Sequence, residues 1–370
     1  MINVTKSDLP PLEQYIEYLR RIWATGWLTN DGELVQLLEH KLEEYLGVRN
    51  LVLVANGTLA LQLAVRVLGL SGEIITTPFT FAATTNIILW EGLTPVFADI
   101  DPATYNISPA QVEKRITDKT SAIIATHVYG NPCYVEELGG IAAKYNLKLI
   151  YDGAHAFGVE YDNQSVLNYG DMSTLSFHAT KVFNTIEGGA IIAKDEGLFD
   201  RMKLLRNHGI KSEEEVILPG INAKMNEFQA AMGLCNLEGI DENIRLRGMI
   251  YKRYKERLGN TRIRFQEITA SKYNYIYTPV CFEDIEQRDK AYSELVKNGI
   301  KPRKYFFPLT ADFDYFKGKG TNAAERHDLE KASGIADRVL CLPLYPNLEM
   351  SVVDDIAGMI RNLVCDGESQ

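Results

Sequence analysis

Three short stretches of this 370-residue chain carry residue types that do chemistry, at spacings that matter. Asn56-Gly57-Thr58 precedes the apolar run Leu59–Leu68. A glycine turn ahead of a helix leaves backbone N–H groups free to hold an anion such as phosphate, although the same Asn and Thr also read as plain helix caps. Tyr151-Asp152-Gly153-Ala154-His155 ends a second apolar run in a carboxylate. That carboxylate is suited to pairing with a protonated ring nitrogen, or to capping the next turn. Ser176-Phe177-His178-Ala179-Thr180-Lys181, followed by Glu187-Gly188-Gly189-Ala190, sets an amine just past a third apolar run. In a dry pocket the ammonium form is disfavoured and such a lysine becomes a nucleophile or base; at the surface it is only a solvated charge.

The surrounding elements must bring these groups together. From Leu51 to about Ala193, β-rich runs alternate with amphipathic ones. The strand candidates are 51–55, 74–77, 95–99, 122–127, 147–152, 174–177 and 189–193. Between them, 58–68, 82–91 and 135–145 repeat apolar residues at helical intervals. This alternation predicts right-handed crossovers and a mainly parallel sheet buried on both faces. The close succession of the last strands leaves room for one antiparallel member. In such sheets ligands sit at the carboxyl ends of the strands, where all three stretches fall. An anion cradle, a carboxylate and an amine in one site are the three groups that pyridoxal 5'-phosphate (PLP) requires.

After Ile217–Asn222 the pattern changes to long helices, 225–238 and 241–258, and then to short elements including 275–280 and 289–297. The expected organisation is therefore α/β: a large domain, 1–240, and a smaller C-terminal α/β domain, 241–370. The net charge of −10 argues against nucleic acid or an anionic membrane as partner. No apolar run approaches the roughly 18–20 residues of a membrane span, and residues 1–11 lack a signal peptide's apolar stretch, so a cytoplasmic protein is expected. Cys133, Cys235, Cys281, Cys341 and Cys365 stand singly, as reduced thiols do. His40, His127, His208 and His327 show no metal-ligand spacing, so no metal is expected.

Over nearly its whole length the sequence resembles the DegT/StrS family of sugar-nucleotide aminotransferases, which have the fold of aspartate aminotransferase (PLP fold type I). The resemblance rests on Gly26-Trp27-Leu28-Thr29, Asn56-Gly57-Thr58-Leu59-Ala60-Leu61 and Thr80-Phe81-Ala82-Ala83-Thr84. It continues through Asp152-Gly153-Ala154-His155-Ala156, the lysine stretch with Glu187-Gly188-Gly189, Asn222, and Met225-Asn226-Glu227-Phe228-Gln229-Ala230-Ala231. Tyr151 departs from a family pattern in which glutamate often precedes the aspartate.

The resemblance implies that Lys181 holds PLP as a Schiff base, that Asp152 pairs with the pyridinium nitrogen, and that His155 lies by the phenolic oxygen. It implies that Phe81 stacks on the ring, that Gly57, Thr58 and Ser176 hold the phosphate, and that Asn222 reaches it from a neighbouring subunit. A homodimer with shared sites follows. Phe81 and Asn222 also read as core packing and as a loop hydrogen bond. The implied reaction is ping-pong transfer of an amino group from L-glutamate to a ketone of a nucleotide-linked sugar. His178 and Glu187 around the lysine resemble enzymes aminating the sugar 4-position, those making dTDP-4-amino-4,6-dideoxy-D-glucose in particular, with a place in O-antigen or lipopolysaccharide biosynthesis. A 3-keto sugar or a UDP- or GDP-linked one is the alternative. Further substrate contacts are expected from Trp27 and Thr29, from Tyr305, and from the basic Arg206, Lys211 and Arg303 at the diphosphate, against a reading of those three as solvated surface charges. A PLP-dependent sugar dehydratase of this fold carries histidine in place of Lys181, and a non-enzymatic sugar-binding relative would lack the cofactor residues; Lys181, Asp152 and the glycine turn are all present.

Overall fold

The computed structural model describes residues 1–316 and 326–365; the side chains of Arg326, His327 and Cys365 lie outside the described ones. Seven strands form the central sheet, in the order Leu51–Val54, Gly189–Ala193, Met172–Ser176, Lys148–Asp152, Thr120–Thr126, Glu73–Thr76, Thr94–Phe97. All neighbours are parallel except Gly189–Ala193, which runs antiparallel to both of its partners. The expected α/β architecture is present, including its one reversed strand.

The strands read as continuous apolar runs because both faces are covered. Alternate residues separate into two cores: Leu51, Leu53, Ile123 and Leu149 belong to one, and Val52, Val54, Ile124 and Ile150 to the other. Helix Gly57–Leu68 packs on the second face. Helix Glu33–Leu46 packs on the first and against Glu227–Glu238. The N–H groups of Leu34 and Val35, at the start of the 33–46 helix, both donate to the buried carboxylate of Glu227, satisfying donors that a helix leaves open.

Beyond residue 240 a third core, with Ile250, Tyr254, Val280, Leu340 and Ile356, forms between helices Ile240–Leu258, Ile285–Lys297 and Met350–Cys365 and a three-stranded antiparallel sheet. Ile2–Asn3 pairs with Ile300–Lys301 in this half of the molecule. Boundaries differ from the sequence pattern where capping decides them. The helix expected from residue 225 begins at Glu227, because Asn226 and Gln229 form a reciprocal capping box. The one expected from 289 begins at Ile285, since Asp284 accepts from the Gln287 N–H. The strand expected over 275–280 is Thr278–Cys281 instead, Tyr275 having the left-handed φ of 52°. Cys133, Cys235, Cys281 and Cys341 are free and buried.

Candidate active site

At the carboxyl edge of the sheet a cavity of about 840 Å³ opens, lined by groups from all three chemical stretches. Asn56 caps helix Gly57–Leu68 through its side chain, accepting from the Leu59 N–H at 2.9 Å. The earlier N–H groups of Gly57 and Thr58 have no intrahelical acceptor and belong to the cavity wall. A Cβ on Gly57 would stand 2.8 Å from Ser176 Cβ and 3.2 Å from its Oγ, so only glycine lets this turn and the Ser176 hydroxyl converge. Gly189 has a similar reason: a Cβ there would meet Leu175 O at 2.7 Å.

Asp152, the last residue of its strand, is buried, and its two oxygens have different partners. Thr84 Oγ1 donates to Oδ2 at 2.6 Å, and the Ala154 N–H donates to Oδ1 at 3.0 Å. Burial pushes its pKa up, while Thr84, Ala154 and the charge of Lys181 hold it down.

Lys181 lies on the loop joining the 172–176 and 189–193 strands and is half-buried, one side open to the cavity. Burial lowers its amine from 10.5 to about 8, against the pull of Asp152 and with Arg303 adding to the depression. His155 is buried, and its Nδ1 has no hydrogen-bond partner among the described residues. Burial, Lys181 and Arg303 hold its pKa well below 6.5, so its ring is neutral. The ring lies parallel to Phe306, 5.9 Å away.

Phe81, at the start of helix Ala82–Trp90, is 51% exposed and faces the cavity, which removes the core-packing alternative. His178 and Glu187 approach within 3.6 Å at the cavity mouth. Arg303 stacks on Tyr305, 3.7 Å from the ring centroid, and both line the cavity.

Other expected contacts stand elsewhere in this chain. Arg206 is a correction. Instead of offering its charge to a diphosphate at the surface, it is buried, paired with Asp31 at 2.9 Å and Glu39 at 2.8 Å and donating to Leu53 O. The neighbouring sheet edge and helix supply acceptors that a sequence window cannot reveal. Lys211 is exposed and paired with Glu215 four residues on. Trp27, Thr29 and Asn222 are exposed outside the cavity, Trp27 beside Arg21 and Glu33 and Asn222 bridged to Asn207. His127, read as structural, is buried and neutral, stacked on Tyr151 with Nδ1 accepting from Cys133 N.

Asn86, Trp90, Gln62 and Tyr277 also line the cavity and stand outside the residues expected from the sequence. Asn86 and Trp90 share one face of helix 82–90 with Ala82, at four-residue intervals, and that spacing from Ala82 in the Thr80–Thr84 motif was the available signal.

A buried carboxylate, an amine of lowered pKa, an imidazole with a free nitrogen and an anion cradle of backbone N–H groups together fit PLP. The family model for DegT/DnrJ/EryC1/StrS aminotransferases matches residues 12–361. The chain belongs to this family. A dTDP-4-amino-4,6-dideoxy-D-glucose transaminase of Shigella dysenteriae is 44% identical over 366 residues, 98% of this chain and 99% of the relative. The structure of DesI with its TDP-sugar product superposes with a TM-score of 0.92 at 33% identity, covering 99% of this chain and 93% of that one. The sugar aminotransferase Spr1654 of Streptococcus pneumoniae, in its PLP form, does so at 0.90 and 25% identity, covering 98% of each. This aminotransferase has PLP fold type I, with the residues expected to hold the cofactor converging at the carboxyl edge of its sheet. Among its described residues no helix is long and apolar enough to cross a membrane.

Proposed function

We propose that this aminotransferase moves an amino group from L-glutamate to C4 of dTDP-4-keto-6-deoxy-D-glucose, giving dTDP-4-amino-4,6-dideoxy-D-glucose. The observation that carries the amine chemistry is the Lys181 amine, lowered to about 8, in one cavity with the buried Asp152 carboxylate. The substrate is supported by the relative from Shigella dysenteriae, which matches along the whole chain.

Bound here, PLP would supply an electron sink for the bond broken at the donor's α-carbon. Lys181 Nζ, partly neutral near pH 8, takes the α-proton and returns it as a positioned base and acid, worth about 10²–10⁴-fold. Asp152 would hold a negative charge against the cofactor's ring nitrogen, and neutral His155 would offer Nδ1 to its oxygen substituent. The N–H groups of Gly57 and Thr58, with Ser176 Oγ, would hold the phosphate, and the exposed face of Phe81 would cover the ring. Arg303 and Tyr305 are positioned to meet the anionic part of a substrate, and His178 and Glu187 its sugar.

The same reading gives Trp27, Thr29, Lys211 and Asn222 a place in the site of a second copy of the chain, as a homodimer with shared sites. The exposure of Trp23 (72%), Trp27 (54%) and Leu28 (52%) supports an apolar interface there. The large part, 1–240, would hold the cofactor and the smaller, 241–370, would contribute Arg303, in a cytoplasmic enzyme of deoxysugar biosynthesis. Incubation with L-glutamate and dTDP-, UDP- and GDP-linked ketosugars, followed by mass spectrometry and NMR of the product, tests the reading. Nitrogen at C4 in the equatorial gluco configuration is expected, and Lys181→Ala should fold yet lose all turnover. An amine at C3, an axial amine at C4, or preference for a UDP- or GDP-sugar would overturn the substrate.

A further inference from the structure

Behind the Asp152 carboxylate lies a row of three threonines whose hydroxyls touch in sequence. Thr84 Oγ1 is 2.6 Å from Asp152 Oδ2 and 2.9 Å from Thr80 Oγ1, which is in turn 2.8 Å from Thr126 Oγ1. They come from three places: Thr84 from the first turn of helix Ala82–Trp90, Thr80 from the segment before it, and Thr126 from the end of strand Thr120–Thr126, where it is the register partner of Asp152. All three are buried.

An ionised carboxylate only accepts hydrogen bonds, and a hydroxyl donates one. With Asp152 ionised, Thr84 must give its proton to Oδ2. Thr80 must then donate to Thr84, and Thr126 to Thr80. The direction of every bond is fixed from the carboxylate outward, and aligned bonds of this kind polarise one another. If Asp152 were protonated on Oδ2, that order would be lost and the buried hydroxyls would have to reorganise.

We propose that Thr126, Thr80 and Thr84 form a one-way hydroxyl relay that positions the Asp152 carboxylate and keeps it ionised beneath the cofactor. These are positioning residues. The proposal rests on the reading of Asp152 as the partner of the PLP ring nitrogen. The relay also ties helix Ala82–Trp90, which Phe81 caps, to the carboxylate, so the group covering the ring and the group charging it would share one support. The other titratable groups facing Asp152 are the Lys181 amine and, held neutral by burial, the Cys133 thiol and the Tyr305 phenol. Of these only Lys181 carries charge near neutral pH in the cofactor-free protein, and there it favours the same ionised state. Opposing both is burial, which raises the Asp152 pKa.

Thr84→Val and Thr80→Val remove a hydroxyl at nearly constant volume, and Thr84→Ser restores the hydroxyl without the methyl. The readout is the pH at which the full-length holoenzyme loses PLP on acidification, followed by cofactor absorbance, with thermal unfolding at pH 8 as the measure of packing alone. Thr84→Val should raise that midpoint by about 1 pH unit, because a hydrogen bond to a charged group has been lost. Thr80→Val should move it in the same direction by less, and Thr84→Ser should return it to wild type.

Unmoved midpoints in both valine variants would overturn the proposal. So would a serine variant that behaves like valine, which would mean the methyl packing matters and the hydroxyl does not. A shift for Thr84→Val with none for Thr80→Val would refute a relay beyond the first hydroxyl. A wild-type protein that retains PLP but fails to aminate the ketosugar would sink the substrate reading and leave this test intact. Normal turnover with unmoved midpoints would sink the relay alone.

Discussion

Replacing Lys181 by methionine should stabilise the cofactor-free protein, and the gain should depend on pH. Burial, opposed by Asp152 and assisted by Arg303, lowers the folded-state amine from 10.5 to about 8. Below pH 8 the amine is charged in folded and unfolded chains alike, and the folded chain carries the full cost of holding that charge. Between about 8 and 10.5 the folded chain has released its proton while the unfolded chain still binds one, so wild-type stability rises with pH across this window. The interval of roughly 2.5 pH units corresponds to about 3 kcal/mol. One side of Lys181 faces the cavity and its water, so this is an upper bound, and about 2 kcal/mol is the expected gain at pH 7. Methionine nearly matches the lysine stem and adds no charge. Urea unfolding of both proteins, at one protein concentration because oligomer stability depends on it, should show the gap at pH 7 and the loss of most of it by pH 10. A gap below about 0.5 kcal/mol at pH 7, within the ordinary scatter of surface substitutions, would refute the reasoning, as would a gap that persists unchanged at pH 10.

Asp152→Asn should retain the fold and lose more than tenfold in kcat, since an amide cannot hold the ring nitrogen protonated; keeping over about a tenth of kcat, roughly 1.4 kcal/mol of barrier, would contradict that role. Arg206→Ala should cost about 2–3 kcal/mol in urea unfolding by leaving the largely buried Glu39 without its charge partner, only the Leu53 N–H remaining, with the KM for the nucleotide sugar unchanged. A raised KM at unchanged stability would return Arg206 to the substrate. Mixing Lys181→Ala with an Asn222→Ala protein weakened in PLP binding should partly restore activity, because hybrid dimers hold one site free of both changes; no rescue despite demonstrated subunit exchange would mean that each site is built from one chain.

The amino-acid sequence by itself determined the architecture of the sheet and the groups at its active edge. Strands buried on both faces must be continuously apolar, helices packed on them must repeat at three and four residues, and chemistry collects where strands end. Those local patterns place Gly57, Asp152, His155, Ser176 and Lys181 around one cavity. Only the tertiary structure decided matters that depend on distant partners. Arg206 has the composition of a substrate-binding charge, but Asp31, Glu39 and Leu53 O reach it from remote segments and make it part of the interior. Glu227 and Asn226 stand in a family motif, yet their work here is to close the ends of two helices. Thr80 and Thr84 stand in a family motif and Thr126 in none, yet nothing in the sequence links the three, since a hydroxyl acquires a direction only when a carboxylate is folded against it. Periodicity records which face of an element is buried. It does not record which acceptor waits on the other side, and that difference separates what was legible in the chain from what folding added.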